Sequence, residues 1–224
     1  MRRLILLSCI VYITNINAVS QFRIGGEAGL NYSSLGYDDK TAYQSISSLY
    51  GLRLGAVSEY VINNDISFRG GLIFSQKGMN SETNQPLDKG NYKSTKSKIR
   101  FNYIDIPILF HDYAQKAKGG SLKVFVNVGP VLSVGLWGYR TDSYKQSKGG
   151  VITASDTTTN FKVGFSGNKI NALNFGLHLG GGVELYDMIT TELSYYKGLT
   201  RAQNGTHTWN SVLAFTVGYI YKLP

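Results

Sequence analysis

The chain has 224 residues, enough for one domain, and 23 basic against 14 acidic residues give a formal net charge of +9. The basic residues cluster in predicted loops rather than among aromatic residues, so we expect no nucleic-acid binding. The only cysteine, Cys9, excludes a disulfide within the chain and a cysteine-ligated metal. After the first 20 residues no apolar run is long enough for a membrane-spanning helix. Alternating barrel strands would escape such a search.

The N-terminal segment has the pattern of a secretory signal. Two arginines precede an apolar run over residues 4–13, and small residues flank a cut after Ser20. A membrane anchor would need a longer apolar run. A lipoprotein signal would need a longer apolar segment before its cysteine than the one that precedes Cys9. We therefore predict a signal peptide over residues 1–20 and a mature domain over residues 21–224.

Apolar and polar residues then alternate with a period of two, which predicts strands with two different faces. The clearest case is a hairpin over residues 173–195, whose apolar positions alternate with glycine and polar residues. Polar segments and tight turns separate the strands in a largely long, short, long order. The eight predicted strands cover about 22–32, 49–62, 65–78, 98–111, 122–139, 173–185, 189–195 and 208–222.

The parity of the fourth predicted strand changes along its length. Ile99, Phe101 and Tyr103 occupy odd positions, whereas Ile104 and Ile106 occupy even ones. If all of them belong to the outer face, one extra residue must restore the alternation. We therefore predict a β-bulge near Tyr103.

The polar face of the predicted strands carries glycine and charged residues. Glycine allows close approach, which suits a narrow barrel interior, and an outward apolar face suits lipid. We therefore predict an all-β fold: an eight-stranded antiparallel up-and-down transmembrane β-barrel with a side-chain-filled interior. The order of long and short connections predicts the outer membrane of a Gram-negative bacterium, with both termini in the periplasm. Outer-membrane lipid and the barrel-assembly machinery are then expected partners.

Ten ionisable side chains fall on the predicted inner face. An unpaired buried charge costs several kcal/mol, so charges in a filled lumen must pair. We predict a structural polar network and no catalytic, cofactor-binding or metal-binding residues. A histidine beside glutamates could imitate a catalytic pair, but no motif supplies a serine nucleophile. The predicted members are Arg23, Glu27, Arg53, Glu59, Arg69, Arg100, Asp105, His178, Glu184 and Glu192.

One motif resembles a known family. The run Asn102–Leu109 is similar to the Tyr-(Ile/Leu)-(Glu/Asp)-(Ile/Val)-Pro-(Leu/Ile)-Leu stretch of the PorT-like outer-membrane β-barrel family. Gly25–Asn31, Val128–Pro130 and Gly218-Tyr219 also look like that family. The resemblance implies an outer-membrane barrel without catalytic residues. Because some PorT-like proteins support a secretion machinery, it also implies an accessory role in secretion.

Several functional interpretations stay open. In the first interpretation, the protein is a structural barrel or a barrel that binds a partner through loops 79–97 and 140–168, since long loops often carry function. A narrow gated channel is the second interpretation. The third is a soluble lipocalin-like carrier of small molecules, in which the apolar face would point inward. The glycine-rich polar face argues against the carrier, and we predict no enzymatic activity.

Overall fold

The computed structural model describes residues 22–37, 44–87, 91–116, 121–148, 151–166, 169–204 and 208–224, and the predicted signal peptide lies outside them. No helix in these ranges is long and apolar enough to cross a membrane. The strands are β1 (Phe22–Tyr37), β2 (Gln44–Val61), β3 (Ile66–Pro86), β4 (Tyr92–Lys116), β5 (Leu122–Lys148), β6 (Val151–Phe161), β7 (Val163–Gly164), β8 (Ile170–Asn171), β9 (Leu173–Leu185), β10 (Ile189–Gly198) and β11 (Thr208–Lys222).

Eight of these strands close into a barrel. The order around it is β1, β2, β3, β4, β5, β9, β10 and β11, and β11 pairs with β1 again. Every neighbouring pair is antiparallel. Closure matters because lipid cannot satisfy the backbone groups of a free strand edge. The predicted eight-stranded up-and-down barrel is confirmed.

A tight turn joins β9 to β10. The Met188 amide donates to the Leu185 carbonyl at 3.1 Å, and Tyr186 and Asp187 have φ values of 53° and 59°. Two consecutive positive φ values are typical of the type I′ turn, whose twist matches that of the flanking strands. Arg23 donates from Nη2 to the Asp187 carbonyl at 2.8 Å, which ties the turn to the barrel interior.

The outer face of the barrel is apolar. Leu52, Leu30, Phe215 and Leu193 follow one another around the wall in register, and each is 53–57% exposed. Their exposure is that of side chains facing lipid. Leu177 and Leu213 are also exposed, whereas most of the charged residues of the same strands are buried. This is the reverse of a lipocalin, so the carrier interpretation is wrong.

Aromatic pairs flank this apolar belt at both ends. Phe22 lies 5.1 Å from Tyr60, and Phe68 lies 6.2 Å from Phe110, between ring centroids, at the end that holds the tight turns. The opposite rim holds two further pairs, Tyr32 with Tyr50 at 5.1 Å and Phe74 with Trp137 at 6.0 Å. Two aromatic girdles are typical of a barrel that spans a membrane.

The prediction for the first half of β4 is wrong. Ile99, Phe101 and Tyr103 are buried inside the barrel, and the inward positions continue without a break to Tyr113. The reason is that the filling of the lumen changes from polar to apolar at this level. A period of two separates two faces but does not say which of them is inside.

The irregularity occurs on the strand opposite. Asn102 pairs with Trp137 and Tyr103 pairs with Gly135, so Leu136 is an extra residue on β5. The bulge lies between the part of β5 that pairs with β9 and the part that pairs with β6. The predicted bulge near Tyr103 of β4 is therefore replaced by one on its partner.

The predicted loops 79–97 and 140–168 are largely strand. β3 and β4 stay paired from the barrel to Pro86 and Tyr92, and β5 stays paired with β6 from Gly138 to Lys148. Beyond lipid the outer face of a sheet also meets water, so pairing there needs no apolar alternation. We call these paired continuations the extended sheet (44–48, 79–86, 92–99, 139–148 and 151–161). The end of the barrel that carries this sheet is the extended end, and the opposite end is the short-turn end.

Arginine substitution of an exposed apolar residue should destabilise the protein more in the apolar belt than on the extended sheet. Leu193→Arg places a guanidinium group in the apolar belt and is expected to lower the free energy of unfolding by about 2–4 kcal/mol. Ile152→Arg, on the equally exposed extended sheet, should change it by less than about 0.5 kcal/mol, because water solvates the charge. Urea titration of protein refolded in lipid vesicles measures both. Equal effects would contradict the membrane orientation.

Candidate functional site

The barrel interior begins at the short-turn end with a cluster around Arg23. Arg23 Nη2 lies 2.9 Å from Glu184 Oε2, and Nη1 lies 3.2 Å from Glu59 Oε2. Tyr113 accepts from Arg23 Nη1 at 2.7 Å and donates to Glu184 at 2.8 Å. Ser67 donates to Glu59 at 2.7 Å. These residues come from β1, β2, β3, β4 and β9, so one cluster joins opposite walls.

Glu27 forms the next level. Its Oε1 lies 2.9 Å from Arg53 Nη2, and its Oε2 lies 2.9 Å from Arg69 Nη2. One carboxylate thus bridges two guanidinium groups from two neighbouring strands. Charge-assisted hydrogen bonds of this kind are short and strong.

On the opposite wall, Glu192 has its own partners. His178 Nε2 lies 2.9 Å from Glu192 Oε1, and Asn127 donates to Oε2 at 2.9 Å. Asn127 Oδ1 in turn lies 2.6 Å from His111 Nδ1. All four side chains are buried, so these hydrogen bonds replace the contacts with water that their polar atoms lose.

Further toward the extended end, Lys77 is the central cation. Its Nζ lies 2.8 Å from Asp105 Oδ1 and donates to Ser133 Oγ at 3.1 Å. Arg53 Nη1 lies 3.9 Å from the second Asp105 oxygen. Lys77 Nζ also lies 4.1 Å from the centroid of the Tyr196 ring, a cation–π distance.

The charges of the interior balance. Each of the five interior carboxylates has at least one partner, and five basic side chains face them. Balanced pairing removes the large penalty of an isolated buried charge. The carboxylates are Glu27, Glu59, Asp105, Glu184 and Glu192, and the basic residues are Arg23, Arg53, Arg69, Lys77 and Lys123.

The position of Arg100 differs from its prediction. Its guanidinium donates to the Tyr50 carbonyl at 3.2 Å and lies 6.0 Å from the Tyr139 ring centroid. It faces outward because its neighbours Ile99 and Phe101 face inward. The other nine residues of the predicted network lie inside the barrel.

Sequence reasoning missed several interior residues, among them Lys77, Lys123 and Tyr113. Lys77 and Lys123 lie on the predicted inner face but are absent from the predicted network. Tyr113 lay beyond the predicted end of its strand, although its odd position matches that of Asp105. The continuation of β4 to Lys116 places its hydroxyl between Arg23 and Glu184.

An apolar cluster closes the lumen above Lys77. Ile170 enters it from the segment between β6 and β9, and a Cβ at Gly138 would lie 2.6 Å from the Ile170 Cδ1 atom. Glycine at this position therefore makes room for the plug. The buried members are Leu35, Met79, Ile99, Phe101, Tyr103, Ile170 and Ala202.

Little space remains in the middle of the barrel. A cavity of ≈ 10 Å³ lies between Asn31, Arg53, Lys77 and Tyr196, room for about one water molecule. Within the described ranges, no group of three or more His, Cys, Asp or Glu side chains could hold a metal ion. The interior is a packed polar core that continues into an apolar plug.

An apolar belt, two aromatic girdles and a polar filled lumen define an integral β-barrel membrane protein. Residues 15–204 match the family described as "Outer membrane protein beta-barrel domain". The chain belongs to this family. Membership indicates that it is located in the outer membrane of a Gram-negative bacterium. The comparison with curated proteins found no matching sequence.

Solved structures give matches at low identity. Ail, the attachment invasion locus protein of Yersinia pestis, is 12% identical, with 90% of this chain and 99% of Ail covered and a TM-score of 0.39. Neisserial surface protein A is 12% identical, with coverages of 88% and 96% and a TM-score of 0.42. OprG from Pseudomonas aeruginosa is 11% identical, with coverages of 91% and 96% and a TM-score of 0.39.

The central ion pair can be tested by a double-mutant cycle. Lys77→Met and Asp105→Asn should each lower the free energy of unfolding by about 3–5 kcal/mol, because each leaves a buried charge without its partner. The double variant should lose less than the sum, by about 0.5–3 kcal/mol. Urea titration of the refolded barrel measures all four species.

Lys96 supplies the control for this cycle. It lies 3.3 Å from Glu82 on the extended sheet, where Asn84 and Lys96 hold the pKa of the Glu82 carboxyl below its usual value. Lys96→Met removes an ion pair that is screened by water, so unfolding should change little. Additive losses at Lys77 and Asp105, or losses as small as that of Lys96→Met, would contradict the network.

Proposed function

We propose that the protein is a non-conducting barrel that binds a protein partner at the cell surface through its extended sheet. The observation that carries this proposal is the combination of a filled lumen with paired strands that continue well beyond the barrel. A filled lumen offers no path for solutes. Long paired strands instead present a fixed surface to the medium.

The proposed orientation follows from the two rims. Outer-membrane barrels have short periplasmic turns and longer external connections. Here the short-turn end holds the β9–β10 turn, the start of β1 and the end of β11. We therefore propose that both termini lie in the periplasm. Residues 1–20 would serve as the export signal, and the barrel-assembly machinery would insert the mature chain.

The extended sheet has the features of a protein-binding surface. β6 is exposed along most of its length, and within the described chain it pairs only with β5. It contains Thr, Val and Ile, which favour strands, and one charged residue, Asp156. An unpaired edge of this kind can accept an extended segment of another protein by strand addition.

An accessory role in secretion is one form of this proposal. Its support is the resemblance of the run Asn102–Leu109 to PorT-like proteins. The inward residues of that run build the interior, because Tyr103 joins the apolar plug and Asp105 pairs with Lys77. The motif therefore has a structural explanation, and the secretion role depends on which partner the extended sheet binds. We propose no enzymatic activity, since His178 and Glu192 are buried within the lumen.

Conductance distinguishes the proposal from a gated channel. Purified protein in a planar lipid bilayer should give no steady channels, because the polar core and the apolar plug fill the lumen. A refolded porin supplies the positive control for insertion. Large, persistent channels from the wild-type chain would contradict the filled lumen.

Partner binding can be tested in cells of the natural host. A photo-cross-linking amino acid at Ile152 of the extended sheet should yield a discrete protein adduct that mass spectrometry identifies. The same amino acid at Leu193 faces lipid and should yield no such adduct. Tyr144, an exposed residue of the same sheet on β5, gives a second position for the cross-linker. Identical adducts at Ile152 and Leu193, or no adduct at either Ile152 or Tyr144, would contradict the proposed surface.

A further inference from the structure

A second feature of the extended end is a cavity of ≈ 440 Å³. It lies directly above the apolar plug, between the inner walls of β3, β4, β5 and β6. Its volume falls within the range of small-ligand pockets, roughly 300–1,000 Å³. The cavity is distinct from the outer edge of β6 that serves the proposed partner.

The floor of the cavity is apolar. Leu35, Met79 and Ile99 belong to the plug and are buried, and Phe161 packs against them half-buried. Each also lines the cavity, so the plug presents its upper surface to whatever enters. An apolar group placed on this floor would leave water for a hydrophobic contact.

The walls of the cavity carry hydrogen-bonding groups. Hydroxyl groups come from four strands, at Thr83, Thr95, Thr159 and Thr208 among others. Hydroxyl groups both donate and accept, so they fit a ligand that carries hydroxyls of its own. The wall therefore complements a polar, hydroxyl-bearing group above the apolar floor.

The charged residues of the wall neutralise one another. Arg140 donates from Nε to Asp142 Oδ1 at 2.7 Å and from Nη2 to Ser97 at 3.1 Å. Ser97 also donates to Asp142 at 2.5 Å, and Asp142 is buried. The pair has no net charge, so the site favours neither an anion nor a cation.

We propose that this cavity binds a small uncharged amphipathic molecule. Its apolar ring or short chain lies on the floor formed by Leu35, Met79, Ile99 and Phe161. Its hydroxyl-bearing part meets the threonine and serine hydroxyls of the wall. Such a ligand needs both halves, because each half alone satisfies only one part of the site.

A matched series of probes tests the chemical class. Phenyl β-D-glucopyranoside has an aromatic ring, several hydroxyls and no charge, and should bind the full chain in lipid nanodiscs with a dissociation constant on the order of 1 mM. Methyl β-D-glucopyranoside lacks the ring and phenol lacks the sugar, so each should bind at least about tenfold more weakly. Ligand-observed NMR measures binding, with empty nanodiscs subtracted.

Two neighbouring substitutions test the location. Thr159→Trp fills the cavity and should weaken the glucoside at least about tenfold. Thr158→Trp lies on the opposite face of the same strand, where Thr158 Oγ1 is 3.5 Å from Thr141 Oγ1, and should leave binding within about twofold. Both positions are exposed, so folding should be retained, and heat-modified mobility on gels checks it.

The outcomes separate the proposal from its alternatives. Saturable glucoside binding that Thr159→Trp weakens and Thr158→Trp does not would support the site. Tighter binding of phenyl β-D-glucuronide, which adds a carboxylate, would overturn the uncharged class. Absence of saturable binding by the glucoside, or equal effects of both tryptophans, would overturn the site.

Discussion

Ion pairs across the lumen are the contacts on which this barrel depends. Lipid outside the wall forces every strand to present an apolar face outward, so the polar residues of those strands can lie only inside. A narrow lumen then removes their charges from water. Such charges are tolerable only when each meets a partner with good geometry. The cluster of Arg23, Glu59 and Glu184 shows how this requirement joins strands from opposite sides of the ring.

The filling changes in character along the barrel axis. The half near the short-turn end is an ion-paired core, and the half near the extended end is an apolar plug. Lys77 lies at the boundary, with Asp105 as its ion partner and the Tyr196 and Tyr103 rings within cation–π distance. A cation with an aliphatic stem suits this position, because its stem can pack apolar groups while its ammonium pairs. The plug thus separates the charged layer from water at the extended end.

The period of two in the sequence was enough to predict the barrel, its antiparallel order and most of its inner residues. It failed where the inside ceases to be polar. At this level of β4 the inner positions Ile99 and Phe101 are apolar and the outer position Arg100 is charged, so the usual polarity of the two faces is reversed. Arg100 was assigned inward for the same reason. Only the register with β3 and β5, which depends on residues distant in sequence, fixes the parity.

The extended sheet escaped prediction because its strands lack the signal that lipid imposes. Val151–Phe161 faces water on nearly all its length, and its polar run from Ser155 to Asn160 lacks the apolar alternation that marks a membrane strand. Pairing with β5 nevertheless continues, since backbone hydrogen bonds need only a partner in register. The same pairing surrounds a space above the plug with strand walls on several sides. A barrel that needs its lumen filled for stability therefore gains, at its rim, a cavity whose floor is that filling.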